Sequence, residues 1–230
     1  MNDNFKIKVP FLNVGVKAYK YGNELLEIIK QVDDLILKYE TDLILTPQAA
    51  DIRYLADNTK NIIVFAQHID PIQIGRGHGS ILAEAVKEAG ADGVVLNHAE
   101  KSLKLNDIYN TVKRAEEIGL ATMICVDNEK EAAAAAKFEP DIILAEPSDL
   151  IGSGSSSGKE YAEKTIHAVK SENENIKVLQ GAGINSSSDV EKFIKAGAEA
   201  VGAASGIMLA EDPTAKIEEL LAALHESWNS

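Results

Sequence analysis

The stretch Glu84-Ala85-Val86-Lys87-Glu88-Ala89-Gly90-Ala91-Asp92-Gly93-Val94-Val95-Leu96-Asn97 holds one repeat of the fold. A helix-forming run stops at Gly90, where a left-handed residue can end a helix. Gly93–Asn97 then runs as a short aliphatic strand. A strand without polar alternation is one buried on both faces, as in a parallel sheet covered by helices. The same helix–glycine–strand rhythm recurs around Gly119 in Glu117–Ala121 and around Gly197 in Ile194–Ala200.

Outward from that stretch, the same kind of run predicts strands at Pro10–Val16, Asp42–Thr46, Ile62–Ala66, Gly93–Asn97, Ala121–Val126, Asp141–Ala145, Lys177–Gln180 and Ala198–Gly202. Helical patterns lie between them. In Gly22–Lys38, residues Leu25, Leu26, Ile29, Val32 and Ile36 form one stripe opposite Lys and Glu. Asn106–Ile118, Glu129–Phe138, Lys159–Lys170, Ser187–Ala196 and Pro213–Ala223 read alike. Ser187-Ser188-Asp189 and Asp212-Pro213 are helix-start signals. Strict βα alternation fits an open doubly wound sheet or a closed barrel. Eight units in 230 residues favour the closed (βα)8 barrel, as a single domain over residues 1–230.

Composition narrows the function classes. The formal net charge is −13, which argues against nucleic-acid and membrane-surface partners, since both need a basic face. No apolar run approaches the ~20 residues that cross a bilayer. Met1-Asn2-Asp3-Asn4 lacks the basic start of a signal peptide, so a cytoplasmic chain is expected. The lone cysteine, Cys125, excludes a disulfide framework or a cysteine-rich metal site.

In a closed barrel, chemistry sits where strands end. Lys17 follows the first strand, Asn97-His98-Ala99-Glu100 closes and follows the fourth, and Glu146-Pro147 follows the sixth. Gly181-Ala182-Gly183 and Ala203-Ala204-Ser205-Gly206 follow the last two. Small-residue turns at those two ends suit a phosphate, because backbone N–H groups can approach an anion. A carboxylate beside a histidine and a lysine suits proton abstraction next to a carbonyl. The thirteen residues Glu146–Gly158 read as a lid, stiff at Pro147 and apolar at Leu150-Ile151, with Gly/Ser freedom beyond. Glu100 reads as a partner for Lys17, Cys125 as a core side chain, and His167 and His225 as solvated helix residues.

With these motifs placed, the chain resembles the triosephosphate isomerase family, in its short archaeal-type branch. The matching stretches include Val16-Lys17-Ala18-Tyr19-Lys20, Phe65-Ala66-Gln67-His68-Ile69-Asp70-Pro71, Leu96-Asn97-His98, Glu146-Pro147 with Leu150-Ile151-Gly152-Ser153-Gly154, Gly181-Ala182-Gly183-Ile184 and Ala204-Ser205-Gly206. The resemblance implies a TIM barrel that isomerises an aldose and a ketose phosphate. It implies Glu146 as the base, His98 as the electrophile and Lys17 as a stabiliser of negative charge. It further implies a phosphate held around Ile151, Gly152, Gly183, Ala204 and Ser205, a homodimer or homotetramer, and no metal or organic cofactor.

Three departures stand out. The family's asparagine two residues before the lysine is here Gly15. Asn13 shares its side of the strand but sits ~6–7 Å further down. The family's His-Ser-Glu reads His98-Ala99-Glu100, without the serine hydroxyl. The family's Thr-Gly pair, which reaches into the neighbouring subunit, reads His78-Gly79. Gly15 is therefore expected to border the substrate, in a pocket with more room, and His78, Ala99 and Glu100 become candidate specificity positions. The substrate implied is the glycolytic triose phosphate or a larger tetrulose phosphate such as erythrulose phosphate, since relatives serve in erythritol breakdown. The competing readings are a non-catalytic phosphate-binding barrel and a different phosphate-site barrel enzyme.

Overall fold

The computed structural model describes residues 5–230, so Met1–Asn4, read above for targeting, lie outside the described residues. Eight parallel strands close into one barrel in sequence order. They are β1 Phe11–Gly15, β2 Asp42–Thr46, β3 Ile63–Ala66, β4 Gly93–Leu96, β5 Ala121–Val126, β6 Ile142–Ala145, β7 Lys177–Gln180 and β8 Ala200–Ala203. The helices are α1 Gly22–Asp33, α2 Leu35–Tyr39, α3 Ile52–Ala56, α4 Ala83–Glu88, α5 Leu105–Ile118, α6 Glu129–Ala136, α7 Lys159–Glu172, α8 Ser187–Lys195, α9 Ser205–Met208 and α10 Pro213–Trp228. The open-sheet alternative is thus excluded: β8 pairs with β1, with Phe11 opposite Ala200 and Asn13 opposite Gly202.

The pleat splits each strand's side chains into two cores. Leu12 and Val14 face the helices, within the large cluster that includes Leu25, Ile29, Phe193 and Leu220. Phe11, Ile44, Phe65, Val95, Met123, Leu144 and Leu179 fill the barrel interior. Phe5, Ile7 and Val9 pack against this second cluster, with the Phe5 and Phe65 ring centroids 5.6 Å apart. The interior is therefore an apolar plug, and the opposite rim is left for polar groups.

Helix caps follow the sequence signals closely. Asp212 accepts from the Ala215 amide, with Pro213 opening α10. Ser186, one residue before the expected start, caps α8 by accepting from Asp189 N–H. Gly90, Gly119 and Gly197 all have positive φ. The expected helix Gly22–Lys38 is instead two helices meeting at Asp34. Beside the break, the Asp33 carboxylate accepts from the Lys60 and Asn61 amides and ties α1 to the chain entering β3. His225 is not simply solvated, because its Nδ1 lies 2.8 Å from the Tyr39 carbonyl.

Candidate active site

The strand ends surround a cavity of about 600 Å³. Lys17, His98, Glu100, Glu146, Ile151, Gly152, Gly183, Ala204 and Ser205 all line it, as does Gly15. Two expected residues lie elsewhere. Ala99 borders a smaller cavity of about 340 Å³ on the other side of Glu146. His78 is exposed on the segment 71–81 and does not line this chain's cavity.

Backbone strain is concentrated at this rim. Among the described residues, five non-glycine residues have positive φ, and Lys17, Asn97 and Ala182 lie just past β1, β4 and β7. Such conformations persist where surrounding bonds over-determine them. The Lys17 carbonyl accepts from Gln48 Nε2 at 2.7 Å and Gln67 Nε2 at 2.8 Å. Gln67 also reaches the Thr46 carbonyl. The Lys17 ammonium then pairs with Glu100 Oε1 at 2.8 Å, and that bond holds the Glu100 carboxyl below its ordinary value. Asn97 donates to the Cys125 carbonyl and accepts from Leu103 N–H, and this turn brings His98 to the cavity.

His98 Nδ1 accepts the Glu100 N–H at 3.1 Å. A neutral imidazole bonded this way carries its proton on Nε2. That nitrogen lies 3.1 Å from Glu146 Oε1. No donor is aligned on this buried carboxylate oxygen. Glu146 is thus a carboxylate with an open acceptor, held beside an N–H that can polarise a carbonyl. Burial pushes the Cys125 thiol well up, and the Glu146 charge adds to the shift, so Cys125 stays a neutral core group.

The lid is anchored at both ends. The Asp127 carboxylate accepts the Ser148 amide at 2.5 Å, and the Ser148 bonds hold its carboxyl below the ordinary value. Tyr161 donates its hydroxyl to the Asp127 carbonyl. At the far end, Asn185 Nδ2 donates to the Gly154 carbonyl. Ser156 Oγ donates to Asp189 and accepts from Lys192 Nζ. Burial raises the Asp189 carboxyl, but bonds from Ser156, Ser186 and Asn185, with the Lys192 charge, bring it below its usual value. Gly183 lies so close to the lid that a Cβ there would be 1.9 Å from the Ser155 carbonyl oxygen.

A family model described as triosephosphate isomerase matches residues 10–222. The chain belongs to the triosephosphate isomerase family. Membership makes it an isomerase of the intramolecular-oxidoreductase class and sets aside the unrelated-barrel reading. The triosephosphate isomerase of Methanothermus fervidus is 42% identical over 217 residues, covering 92% of this chain and 97% of that protein. That of Methanobacterium bryantii is 38% identical over 224 residues, covering 96% and 99%. That of Saccharolobus solfataricus is 34% identical over 219 residues, covering 94% and 96%. Within this family chain, sequence reasoning missed the roles of Gln48, Gln67, Asn185, Asp189 and Lys192. Gln48, two residues past the end of β2, was within reach of the strand-end rule.

No helix among the described residues is long and apolar enough to cross a membrane. No group of three or more His, Cys, Asp or Glu among them is placed to hold a metal ion.

Proposed function

We propose that the chain interconverts a phosphorylated aldose and ketose by moving one proton between adjacent carbons. Glu146 takes the proton from the carbon next to the carbonyl. The carbonyl oxygen gains negative charge as an enediolate and receives a hydrogen bond from His98 Nε2–H. Lys17 places a positive charge on the same rim. Glu146 then returns the proton to the neighbouring carbon, and no redox partner is needed. The phosphate lies against Ile151, Gly152, Gly183, Ala204 and Ser205. The observation that carries this reading is the open Glu146 Oε1, 3.1 Å from His98 Nε2 in a cavity bordered by both small-residue turns.

The names of the relatives favour glyceraldehyde 3-phosphate and dihydroxyacetone phosphate as the pair. One observation favours a second reading, a four-carbon ketose phosphate such as an erythrulose phosphate. Gly15 presents no side chain to the cavity it lines, and the Ala204 methyl packs beside it, its Cβ 3.1 Å from where a Cβ at 15 would stand. A coupled assay with three-, four- and five-carbon phosphates tests both. Glu146→Gln is expected to lower kcat by at least ~10²–10⁴-fold on every substrate turned over. A Glu146→Gln enzyme with wild-type turnover would overturn the assignment of the base.

A further inference from the structure

We propose that Asn13 is a specificity-determining residue whose carboxamide binds a hydroxyl of the sugar chain beyond the reacting carbons. This rests on the isomerase reading above and commits to the longer substrate. Asn13 faces the barrel interior and is 6% exposed. It lines the cavity floor. Its Oδ1 is buried with no hydrogen-bond partner. Its register neighbours are Ile44 on β2 and Gly202 on β8, and the interior beneath is Phe11, Met123, Leu144 and Leu179. A buried amide left unpaired in such a place is costly, and native proteins rarely keep one without a partner.

The register shows what the partner spans. Continuing one residue past the pairs Ala145↔Gln180 and Gln180↔Val201, the row across β6, β7, β8 and β1 reads Glu146, Gly181, Gly202, Asn13. Both residues between the base and the carboxamide are glycines. A Cβ on Gly181 would be 2.8 Å from Leu144 Cδ1 and 2.9 Å from Glu146 Oε2, and one on Gly202 would be 3.0 Å from Leu179 Cδ2 and 3.2 Å from Asn13 Nδ2. The two glycines thus make room for the Leu144 and Leu179 side chains, and the floor between the two polar groups is apolar. A carboxamide offers one donor and one acceptor side, which a hydroxyl satisfies by accepting and donating at once. A second phosphate or a carboxylate has no proton for Oδ1, and a lone carbonyl would leave Oδ1 unpaired. A chain with its reacting carbons at Glu146 and a further hydroxymethyl group along the glycine floor meets both demands.

The test is Asn13→Leu, near in size and apolar, with Asn13→Ser as a second variant should the first fail to fold. The readouts are Tm and the ratio of kcat/KM for a four-carbon ketose phosphate to that for dihydroxyacetone phosphate. The expected ratio falls 10- to 100-fold, mainly through KM for the longer substrate, with Tm unchanged or higher because an unpaired buried group is removed. An unchanged ratio in a folded variant overturns the role of Asn13. So does a wild type that turns over the triose through Glu146 but no four-carbon substrate, and the isomerase reading then stands. A wild type inert on every substrate overturns the isomerase reading together with this inference.

Discussion

Gly183→Ala is the sharpest probe of how the lid and the phosphate turn depend on each other. Gly183 has φ +68, so alanine there carries ~1–2 kcal/mol of left-handed strain. The new Cβ would lie 1.9 Å from Ser155 O, 2.2 Å from Ser155 C and 2.6 Å from Ser156 N. Those are backbone atoms, so no rotamer relieves the collision. Reaching ordinary contact requires the lid to retreat by about 1.5 Å. The cheapest route undocks residues 154–156 and breaks the bonds from Asn185 to Gly154 and between Ser156, Asp189 and Lys192. At ~0.5–1.5 kcal/mol per bond, three bonds cost roughly 1.5–4.5 kcal/mol, and with the strain the loss is capped at about 6.5 kcal/mol. That corresponds to a Tm fall of no more than about 25 °C for a chain of this size. The larger effect falls on turnover, since a misplacement of ~1 Å at a positioning element costs about 10²-fold in rate. Gly154→Ala separates strain from collision, because Gly154 also has positive φ but nothing lies within 4 Å of where its Cβ would stand. The assay is coupled isomerase kinetics with thermal unfolding on both variants. If Gly183→Ala keeps kcat/KM within threefold of wild type, or loses no more than Gly154→Ala, the lid does not work through this contact.

Two further outcomes follow from the anchors. Gln67→Leu removes one of the two amides holding the strained Lys17 carbonyl and is expected to lower kcat/KM about tenfold, with Tm little changed. Steady-state kinetics beside a melt checks this, and full activity would show that Gln48 alone suffices. Asp127→Asn weakens the bond to Ser148 by no more than ~1 kcal/mol at neutral pH, since the carboxylate is partly solvated. The Asp127 carboxyl lies below its ordinary value in the fold, so its contribution is present above about pH 4 and is lost as pH falls through the lowered folded value. The stability gap between wild type and Asp127→Asn should therefore close on acidification. Ser148 amide exchange measured across that range reports it, and a gap that widens at low pH would contradict the assignment.

The strands were legible because each is an aliphatic run too short and too β-branched to be a helix. Their ends were less so. Asn97 looked like strand, but its φ of 60° ends β4 at Leu96, because its side chain bridges the Cys125 carbonyl and the Leu103 amide. α3 and α9, at five and four residues, are too short to show a 3.6-residue period. Glu146, His98 and Lys17 could be found by asking which polar residues stand at strand ends. The Lys17 brace and the lid latch could not, since Gln67 lies 50 residues from Lys17 and Lys192 lies 36 from Ser156. Such contacts exist only once the barrel has closed. Alternation placed Asn13 on the inner face, but only the structure shows that its carbonyl oxygen has no partner there.

On the proposed reading, rate and selectivity sit at two depths of the barrel, and β1 serves both. The groups proposed to move the proton stand at the ends of β1, β4 and β6; Gln48 and Gln67 brace the Lys17 carbonyl, and the Glu100 amide holds the His98 ring. The floor beneath them is built on β1, β7 and β8 from Asn13, Gly15, Gly181 and Gly202. Below both lies the plug of Phe11, Phe65, Met123 and Leu179, whose close packing resists local adjustment. A change of floor residue therefore alters the space and polarity offered to the far end of a substrate, while the strained rim holds base and electrophile in place. Asn13 and Gly15 shape this floor, and Lys17, His98 and Glu146 remain above it at the rim. On the proposed reading, a longer sugar phosphate is accommodated along the inner faces of β1, β7 and β8, while Lys17, His98 and Glu146 keep their proposed places in proton transfer.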